Sequence, residues 1–263
     1  MVDAKLLNFS LEHIMIMTVI LLRTGALIFL MPVMGSLAVP SQVKALVTVV
    51  TALALLPVVP VTGSDLPTTI PGFLIFTVSE LGLGAVLAVF SRLIFAAVET
   101  AGQMVGIQMG MGVAGVMDPQ FGTQVSVIGQ FWSIITVLLF LAVNGHHIFF
   151  STLAESFQWV RPGGLHISNA SYQGIIQGVA HMFILAIKIM APVSAVLIFT
   201  QVALGILAKT VPQINLLIVS MPVTIGVGFI FVGLSLDLFI YLLEKNIDML
   251  GRLLPKLAAG LGG

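Results

Sequence analysis

Cysteine is absent from this 263-residue chain, and charge is scarce, since Asp, Glu, Lys and Arg together make up only 8% of it. Without cysteine there is neither a disulfide framework nor a thiolate metal site. A soluble domain carries roughly 25% charged residues, so this chain has too little polar surface to cover a water-facing globule. The ten basic and ten acidic residues cancel, which leaves no excess positive charge for binding nucleic acid.

Apolar residues are abundant instead, at 59% of the chain. A membrane-crossing helix needs about 20 mostly apolar residues, and runs of this length alternate here with breaks rich in Pro and Gly. The pattern predicts an all-α membrane protein with about six long, partly kinked helices arranged as hairpins, in a single integral-membrane domain over residues 1–263. The expected helices cover roughly residues 12–34, 42–61, 70–100, 125–151, 174–208 and 213–244.

The last two expected helices each have a proline well inside them. Pro192 lies near the middle of the fifth helix and Pro222 lies within the sixth. Proline removes a backbone hydrogen bond and kinks a helix, so we expect bends at both positions. Lys209 and Pro212 mark a tight turn between the two helices, which predicts that they form a hairpin.

One stretch between two apolar runs, residues 102–122, combines six glycines and four methionines with a single charge, Asp118. We call it the Gly/Met segment. It has less charge than a solvated loop of this length and more glycine than a membrane helix, which indicates a flexible apolar element at membrane depth, packed inside protein. A gate or plug fits this description better than an active site. The methionines are either core fillers or a deformable seal, because the unbranched thioether chain adapts to its neighbours.

Three glycines of the segment lie four residues apart: Gly102, Gly106 and Gly110. In a helix they share one face, and this small-xxx-small pattern lets membrane helices approach closely. Gly112 and Gly115 follow, and we expect the helix to loosen there because glycine costs about 1 kcal/mol relative to alanine in a helix interior. Asp118–Pro119 then favours a turn.

Apart from Glu12, Lys44 and Glu244 at helix ends, six charged residues lie within the expected helices, three basic and three acidic: Arg23, Glu80, Arg92, Glu99, Lys188 and Asp237. A charge at the bilayer centre costs at least about 2.5–3.5 kcal/mol, so such residues normally face protein or water and have partners. One interpretation is a proton or ion pathway. The other is structural pairing that fixes assembly, which is favoured because the charges are spread over four helices and form no evident relay.

Signatures of catalysis are absent, since the chain has no Gly-x-Ser-x-Gly motif, P-loop or dinucleotide fingerprint. Adjacent His146 and His147 would point about 100° apart on a helix and could not easily share one metal ion. We therefore expect no enzyme activity, no cofactor and no metal site. Asn144–His147 fits a polar cap at a helix turn or a pH-sensitive contact.

A family resemblance rests on several motifs that keep their order along residues 20–225. Gly106–Gly112 (GIQMGMG), followed by Val116–Gln120 (VMDPQ), resembles the FliR family of flagellar biosynthetic proteins, which belong to the type III export gate and are related to the equivalent virulence-secretion subunit. The other matching motifs are Leu37–Pro40, Phe95–Val98, Ala101–Gly102, Leu139–His147, Leu204–Gly205, Val211–Asn215 and Pro222. The chain departs from the family pattern at Val113, where an aromatic residue is more frequent.

The resemblance implies a non-enzymatic export-gate subunit in the bacterial inner membrane, within the flagellar basal body. It implies one copy of the chain in a closed helical assembly with FliP-like and FliQ-like subunits, in contact with an FlhB-like protein. A plug loop over roughly residues 106–122 would close the central channel before unfolded flagellar proteins pass through it. The residues assigned to this plug are Met109, Gly110, Met111, Gly112, Val113, Gly115, Met117, Asp118 and Pro119.

Two alternatives remain open. A small-molecule secondary transporter would have a polar site on broken helices near the midplane, often between inverted repeats, but no repeat is evident. A purely structural membrane scaffold would use the glycines only for helix packing. The scaffold predicts that bulky substitutions in the Gly/Met segment destroy assembly rather than gating.

Overall fold

The computed structural model describes residues 4–36, 39–61, 67, 69–111, 126–166, 168–211, 213 and 215–262. Within these ranges every regular element is an α-helix. The helices are α1 (Ala4–Leu30), α2 (Ser41–Leu55), α3 (Ile70–Gln108), α4 (Val127–Ala142), α5 (Gly145–Trp159), α6 (Asn169–Thr210), α7 (Leu216–Leu234) and α8 (Leu236–Gly260).

The all-α membrane class predicted from the apolar runs is confirmed. In the part of the chain that the structure describes, three helices are long and apolar enough to cross a membrane, in stretches His13–Leu30, Ile70–Gln108 and Ser171–Thr210. The count rises to five if α4 with α5, and α7 with α8, each form one bent span.

The helix expected over residues 125–151 is two helices in the structure, α4 and α5. They part at Asn144, whose backbone is left-handed, with φ 57° and ψ 29°. Asparagine is one of the few non-glycine residues that adopt this conformation readily, so the helix breaks there instead of continuing to residue 151. Asn144 occupies the N-cap position of α5 but makes no side-chain capping hydrogen bond.

The helix expected over residues 213–244 is also divided, at Ser235, and α8 continues to Gly260. The Ser235 hydroxyl donates to the Val232 carbonyl at 3.0 Å, a local bond that competes with regular helix geometry. The continuation was missed because the charges after Leu243 end the apolar run. It is instead an amphipathic stretch whose buried face includes Ile247, Leu250 and Leu254, and packing of such a face stabilises a helix.

Other helix ends differ from the expectation as well. α1 ends at Leu30, before a turn in which Val33 has φ 71°, and α2 ends at Leu55, close to Pro57. Proline has no N–H with which to continue the helical hydrogen-bond pattern. α6 begins at Asn169 rather than near 174, and both α6 and α7 continue through their internal prolines.

The residue contacts divide the chain into two units, of which the first contains residues 1–93, 144–178 and 248–263. Its core includes fully buried Leu27, Leu83 and Leu153. The end of α8 is held by the loop before α6 and by the first turn of α6. The His166 N–H donates to the Leu261 carbonyl at 2.8 Å, and the Ser171 hydroxyl donates to the Gly260 carbonyl at 2.5 Å.

The second unit contains residues 94–143 and 179–247. Trp132 of α4 is fully buried and stacks on Phe239 of α8, with ring centroids 5.4 Å apart. His181 of α6 and Asn246 of α8 are joined by a hydrogen bond of 2.6 Å between Nε2 and Oδ1. Organisation as a single domain stays a prediction.

Candidate functional site

The first seven positions of the Gly/Met segment, up to Gln108, continue α3 past the expected end near residue 100. The helix stops at Gly110, which has φ +84°, a conformation that glycine adopts without steric cost. The Gly110 N–H donates to the Ile107 carbonyl at 3.0 Å, and the Met111 N–H donates to the Gly106 carbonyl at 3.1 Å. This pair of bonds is a Schellman cap, so the segment has a defined base where it leaves the helix.

Met109 anchors this base in the second unit. Its side chain is 0% exposed and lies against Gly228 of α7, where a Cβ would come 2.7 Å from Cγ, Sδ and Cε of the methionine. The Thr224 hydroxyl, one turn earlier on α7, lies 3.0 Å from the Met109 carbonyl, to which it can donate, and 2.9 Å from the Ser220 carbonyl of its own helix. Gln201 of α6 adds a bond of 3.2 Å from Nε2 to the Gln108 carbonyl.

Gly102 and Gly106 pack against the start of α4, as the small-residue face predicts. A Cβ on Gly102 would collide with the Gly129 backbone, and one on Gly106 would collide with the Ser126 hydroxyl. Ser126 caps α4, accepting from the Gly129 N–H at 3.3 Å, and donates to the Gly102 carbonyl at 2.9 Å. The chain therefore leaves α3 at Met111 and is back against α3 at Ser126.

The structure places three of the proposed plug residues, Met109, Gly110 and Met111. Met111 is half-buried, whereas complete burial makes Met109 an anchor inside its own chain rather than a side chain that lines a channel. The remaining plug residues lie outside the described residues, and their role stays a prediction. They are Gly112, Val113, Gly115, Met117, Asp118 and Pro119.

A second polar constellation is a buried ion pair between α1 and α3. Arg23 and Glu80 are 0% and 1% exposed, and their side chains meet twice. Nε of Arg23 is 2.8 Å from Oε2 of Glu80, and Nη2 is 3.1 Å from Oε1. This is the bidentate geometry that makes arginine–carboxylate pairs specific.

Arg23 and Glu80 make further hydrogen bonds to other residues of the first unit. Arg23 Nη1 donates to the Ser156 hydroxyl at 3.1 Å, and Nη2 donates to the Val160 carbonyl at 3.3 Å. The Gly163 N–H donates to the Glu80 carboxylate at 2.8 Å, and the guanidinium lies 4.0 Å from the ring centre of Phe157. So many fixed partners favour a structural role, joining α1, α3 and α5, over a proton path.

The other four charges singled out in the sequence are exposed and form no ion pair among the described residues. They are Arg92, Glu99, Lys188 and Asp237. Asp237 lies in the first turn of α8, where the positive end of the helix dipole stabilises an acidic side chain. The break at Ser235 creates this helix start, so Asp237 has a local role that the unbroken helix expected from sequence concealed.

Histidines 146 and 147 lie at the start of α5, with ring centres 4.3 Å apart. Across the described part of the chain, no three His, Cys, Asp or Glu side chains are grouped as metal ligands would be.

Thr224, Gln201 and Ser126 hold the base of the Gly/Met segment but were missed by sequence reasoning. Their polar side chains sit singly in apolar or glycine-rich surroundings and carry no recognisable spacing. A lone polar residue two positions after Pro222 is the one local signal that singles out Thr224.

Comparison with known proteins assigns the chain to a family. The family described as bacterial export proteins, family 1, matches residues 14–250. The chain belongs to this family. The matched range includes the Arg23–Glu80 pair and both ends of the Gly/Met segment.

Relatives with the name flagellar biosynthetic protein FliR support this membership. The FliR of Bacillus subtilis is 33% identical over 66% of this chain and 68% of its own length. The FliR of Pectobacterium carotovorum is 29% identical over 90% of this chain and 92% of its own length. The Escherichia coli FliR is 29% identical over 79% of each. A member of the FliR family is a component of flagellar biosynthesis and export.

Proposed function

We propose that the chain is a non-enzymatic subunit of a flagellar protein export gate in the bacterial inner membrane. It helps to form a central channel for unfolded flagellar proteins, and its Gly/Met segment closes that channel. It assembles with FliP-like and FliQ-like subunits and contacts an FlhB-like protein. It acts without a cofactor.

The observation that carries the proposal is the anchoring of both ends of the segment. Met109 is buried against Gly228 and bonded to Thr224, and Ser126 is bonded to Gly102. The 14 residues between Met111 and Ser126 carry one charge, Asp118. An apolar segment whose two ends are both fixed to the same part of α3 can open or close a channel while the helices keep their positions.

The composition of this apolar segment suits a reversible seal. Met111, Val113 and Met117 supply apolar side chains that exclude water and ions, and methionine adapts its shape to its neighbours. Gly112 and Gly115 allow backbone conformations closed to other residues. In this arrangement Met109 stays fixed as the hinge base while the residues after Gly110 move.

Assembly with other subunits agrees with the exposed surface. Large apolar side chains remain exposed along α6 and α7, including Phe199 at 74%, Ile218 at 70% and Leu234 at 71%. An apolar surface of this extent is covered by lipid or by partner helices. The scaffold alternative is favoured only for Gly102 and Gly106, whose close packing onto α4 is structural.

A crosslinking experiment tests the proposal, and the absence of native cysteine makes it simple. Val113→Cys becomes the sole thiol of the chain and is placed opposite a single cysteine in an exported flagellar protein stalled during export. We expect a disulfide between the two. Lys256→Cys, on the exposed face of α8, is the matched control and should form none. An exporting complex without a crosslink at position 113 would contradict the proposal.

A further inference from the structure

The exposed side of α6 in the second unit forms an apolar stripe with one charge. Its members are Ile184, Ile187, Lys188, Ala191, Ala195, Ile198 and Val202. They recur at intervals of three and four residues, so they share one helix face. Ile187 and Ile198 are 61% and 53% exposed. We call this face the Lys188 stripe.

Lys188 has no ion-pair partner among the described residues. It lies within the apolar stretch Ser171–Thr210, a candidate membrane span, about 30 Å along the axis from either end of α6. An ammonium at such a depth is normally matched by an opposite charge or by water inside protein. The Lys188 ammonium therefore calls for an opposite charge from a group outside the described residues.

Pro192 adds a second polar feature to the same turn. It has no N–H to donate to the carbonyl of Lys188, four residues earlier. The turn thus presents an ammonium group and a backbone acceptor side by side, in a face that is otherwise aliphatic. Partner groups that match it are a carboxylate and a hydrogen-bond donor.

We propose that the Lys188 stripe docks a membrane helix of another subunit, one whose apolar face carries an Asp or Glu carboxylate opposite Lys188. The inference rests on the proposed function, because it assigns an assembly contact to the export-gate subunit. The carboxylate forms a desolvated ion pair that fixes the register of the two helices, and the isoleucines on either side exclude water from it.

A second copy of this chain does not suit the stripe. α6 contains no Asp or Glu over its whole length, so the same face of another copy offers no carboxylate. A two-fold contact would also bring equivalent residues together, which sets ammonium against ammonium. The stripe therefore cannot pair with its own equivalent, and it needs a helix that carries a carboxylate in its apolar face, as a different chain can supply.

Four variants of the tagged full-length chain test the assignment in detergent-solubilised membranes. Lys188→Arg should keep its partner subunits, because the charge remains. Lys188→Leu and Lys188→Glu should lower the co-purified partner by about tenfold or more, equivalent to at least about 1.4 kcal/mol of binding free energy. Lys209→Glu, which changes an exposed lysine in the last turn of α6, is the control and should leave recovery unchanged.

A photoreactive residue at Ile187 identifies the occupant. We expect the crosslinked peptide to be an apolar segment with one Asp or Glu, and replacement of that acid by Lys should restore assembly to Lys188→Glu. Normal assembly of Lys188→Leu would overturn the proposal and indicate a lipid-facing stripe. Loss of partners in Asp118→Asn alone would overturn it in favour of a pair within the chain. Either result leaves the Val113 crosslink, and with it the proposed gate, unaffected.

Discussion

Met109 lies against Gly228, so closely that a Cβ on the glycine would come 2.7 Å from three side-chain atoms of the methionine. Met109 is 0% exposed, and its carbonyl accepts a hydrogen bond from Thr224. Both contacts come from α7. The point at which the Gly/Met segment leaves α3 is thus fixed by close packing and a buried hydrogen bond.

Gly228→Ala should displace Met109 and loosen the base of the segment. The added methyl group has no free space, and overpacking of this kind costs about 1–3 kcal/mol. We expect lower thermal stability of the purified complex and greater ion leakage through it. Combining the change with Met109→Ala should give a loss smaller than the sum of the two single losses, because the residues share one contact.

Gly226→Ala is the matched control on the same helix. A Cβ there meets nothing within 4 Å, and alanine is favoured over glycine in a helix interior by about 1 kcal/mol. Its stability should equal or exceed that of the wild type. Equal destabilisation by the two alanines would contradict the account of Met109.

Thr224→Val should weaken the closed state while keeping the shape of the side chain. It removes the donor to the buried Met109 carbonyl, a loss of about 1–3 kcal/mol when an acceptor is left unsatisfied. At the lower limit, the ratio of closed to open gates falls about fivefold. Conductance across a planar bilayer measures this ratio. Thr224→Ser retains the hydroxyl and should behave like the wild type; equal leakage from both variants would argue against the bond.

Gly102→Ala should abolish assembly rather than alter gating. Its Cβ would collide with the Gly129 backbone, whereas that of Gly106→Ala meets the Ser126 side chain. A side chain can move more easily than a backbone, so the Gly106 variant should be the milder of the two. Co-purification of the subunits measures assembly, and Gly205→Ala, with nothing within 4 Å, is the neutral reference. A Gly102 variant that assembles fully but leaks would contradict this division.

Breaking the Arg23–Glu80 pair should be strongly destabilising. Removing one member of a buried pair leaves the other charge uncompensated and costs about 3–5 kcal/mol. Arg23→Met and Glu80→Gln should each lower the free energy of unfolding in detergent by about this amount, and the double change Arg23→Met/Glu80→Met should cost less than either.

The matched control for the pair is Glu155→Gln, at an exposed position on α5 next to Ser156. This change should alter the free energy of unfolding by no more than about 0.5 kcal/mol. The charge-reversed pair Arg23→Glu/Glu80→Arg should not restore stability, since Ser156, Val160 and Gly163 are placed for the native orientation. Full recovery by reversal would show that charge alone holds these helices.

The helical membrane class and the glycine face could be predicted from the sequence because both depend on local patterns. Apolar runs reveal helices, and the four-residue spacing of Gly102 and Gly106 reveals a close helix contact. Both patterns depend on residues close together in the sequence, so they can be recognised without knowing the fold. The break at Asn144 was predicted only in part: the sequence indicated a polar turn at Asn144–His147 but not the division of the expected helix into two.

Long-range pairing could not be predicted in the same way. Arg23 and Glu80 are 57 positions apart, and the sequence identified both charges without joining them. Thr224 and Met109 are 115 positions apart, and a single threonine in an apolar helix has no pattern. The amphipathic end of α8 was hidden because its stability comes from packing against the fold, while its charges interrupt the run that marks a span.

In the proposed gate, the residues after Met111 close a channel whose walls stay assembled without them. Single-channel conductance of the purified complex tests it most directly, with residues 112–117 deleted and the contacts of Met109 and Ser126 left in place. We expect the deleted complex to assemble fully and to conduct ions, while the wild-type complex stays closed. A fully assembled deletion complex that conducts no more than the wild type would contradict it.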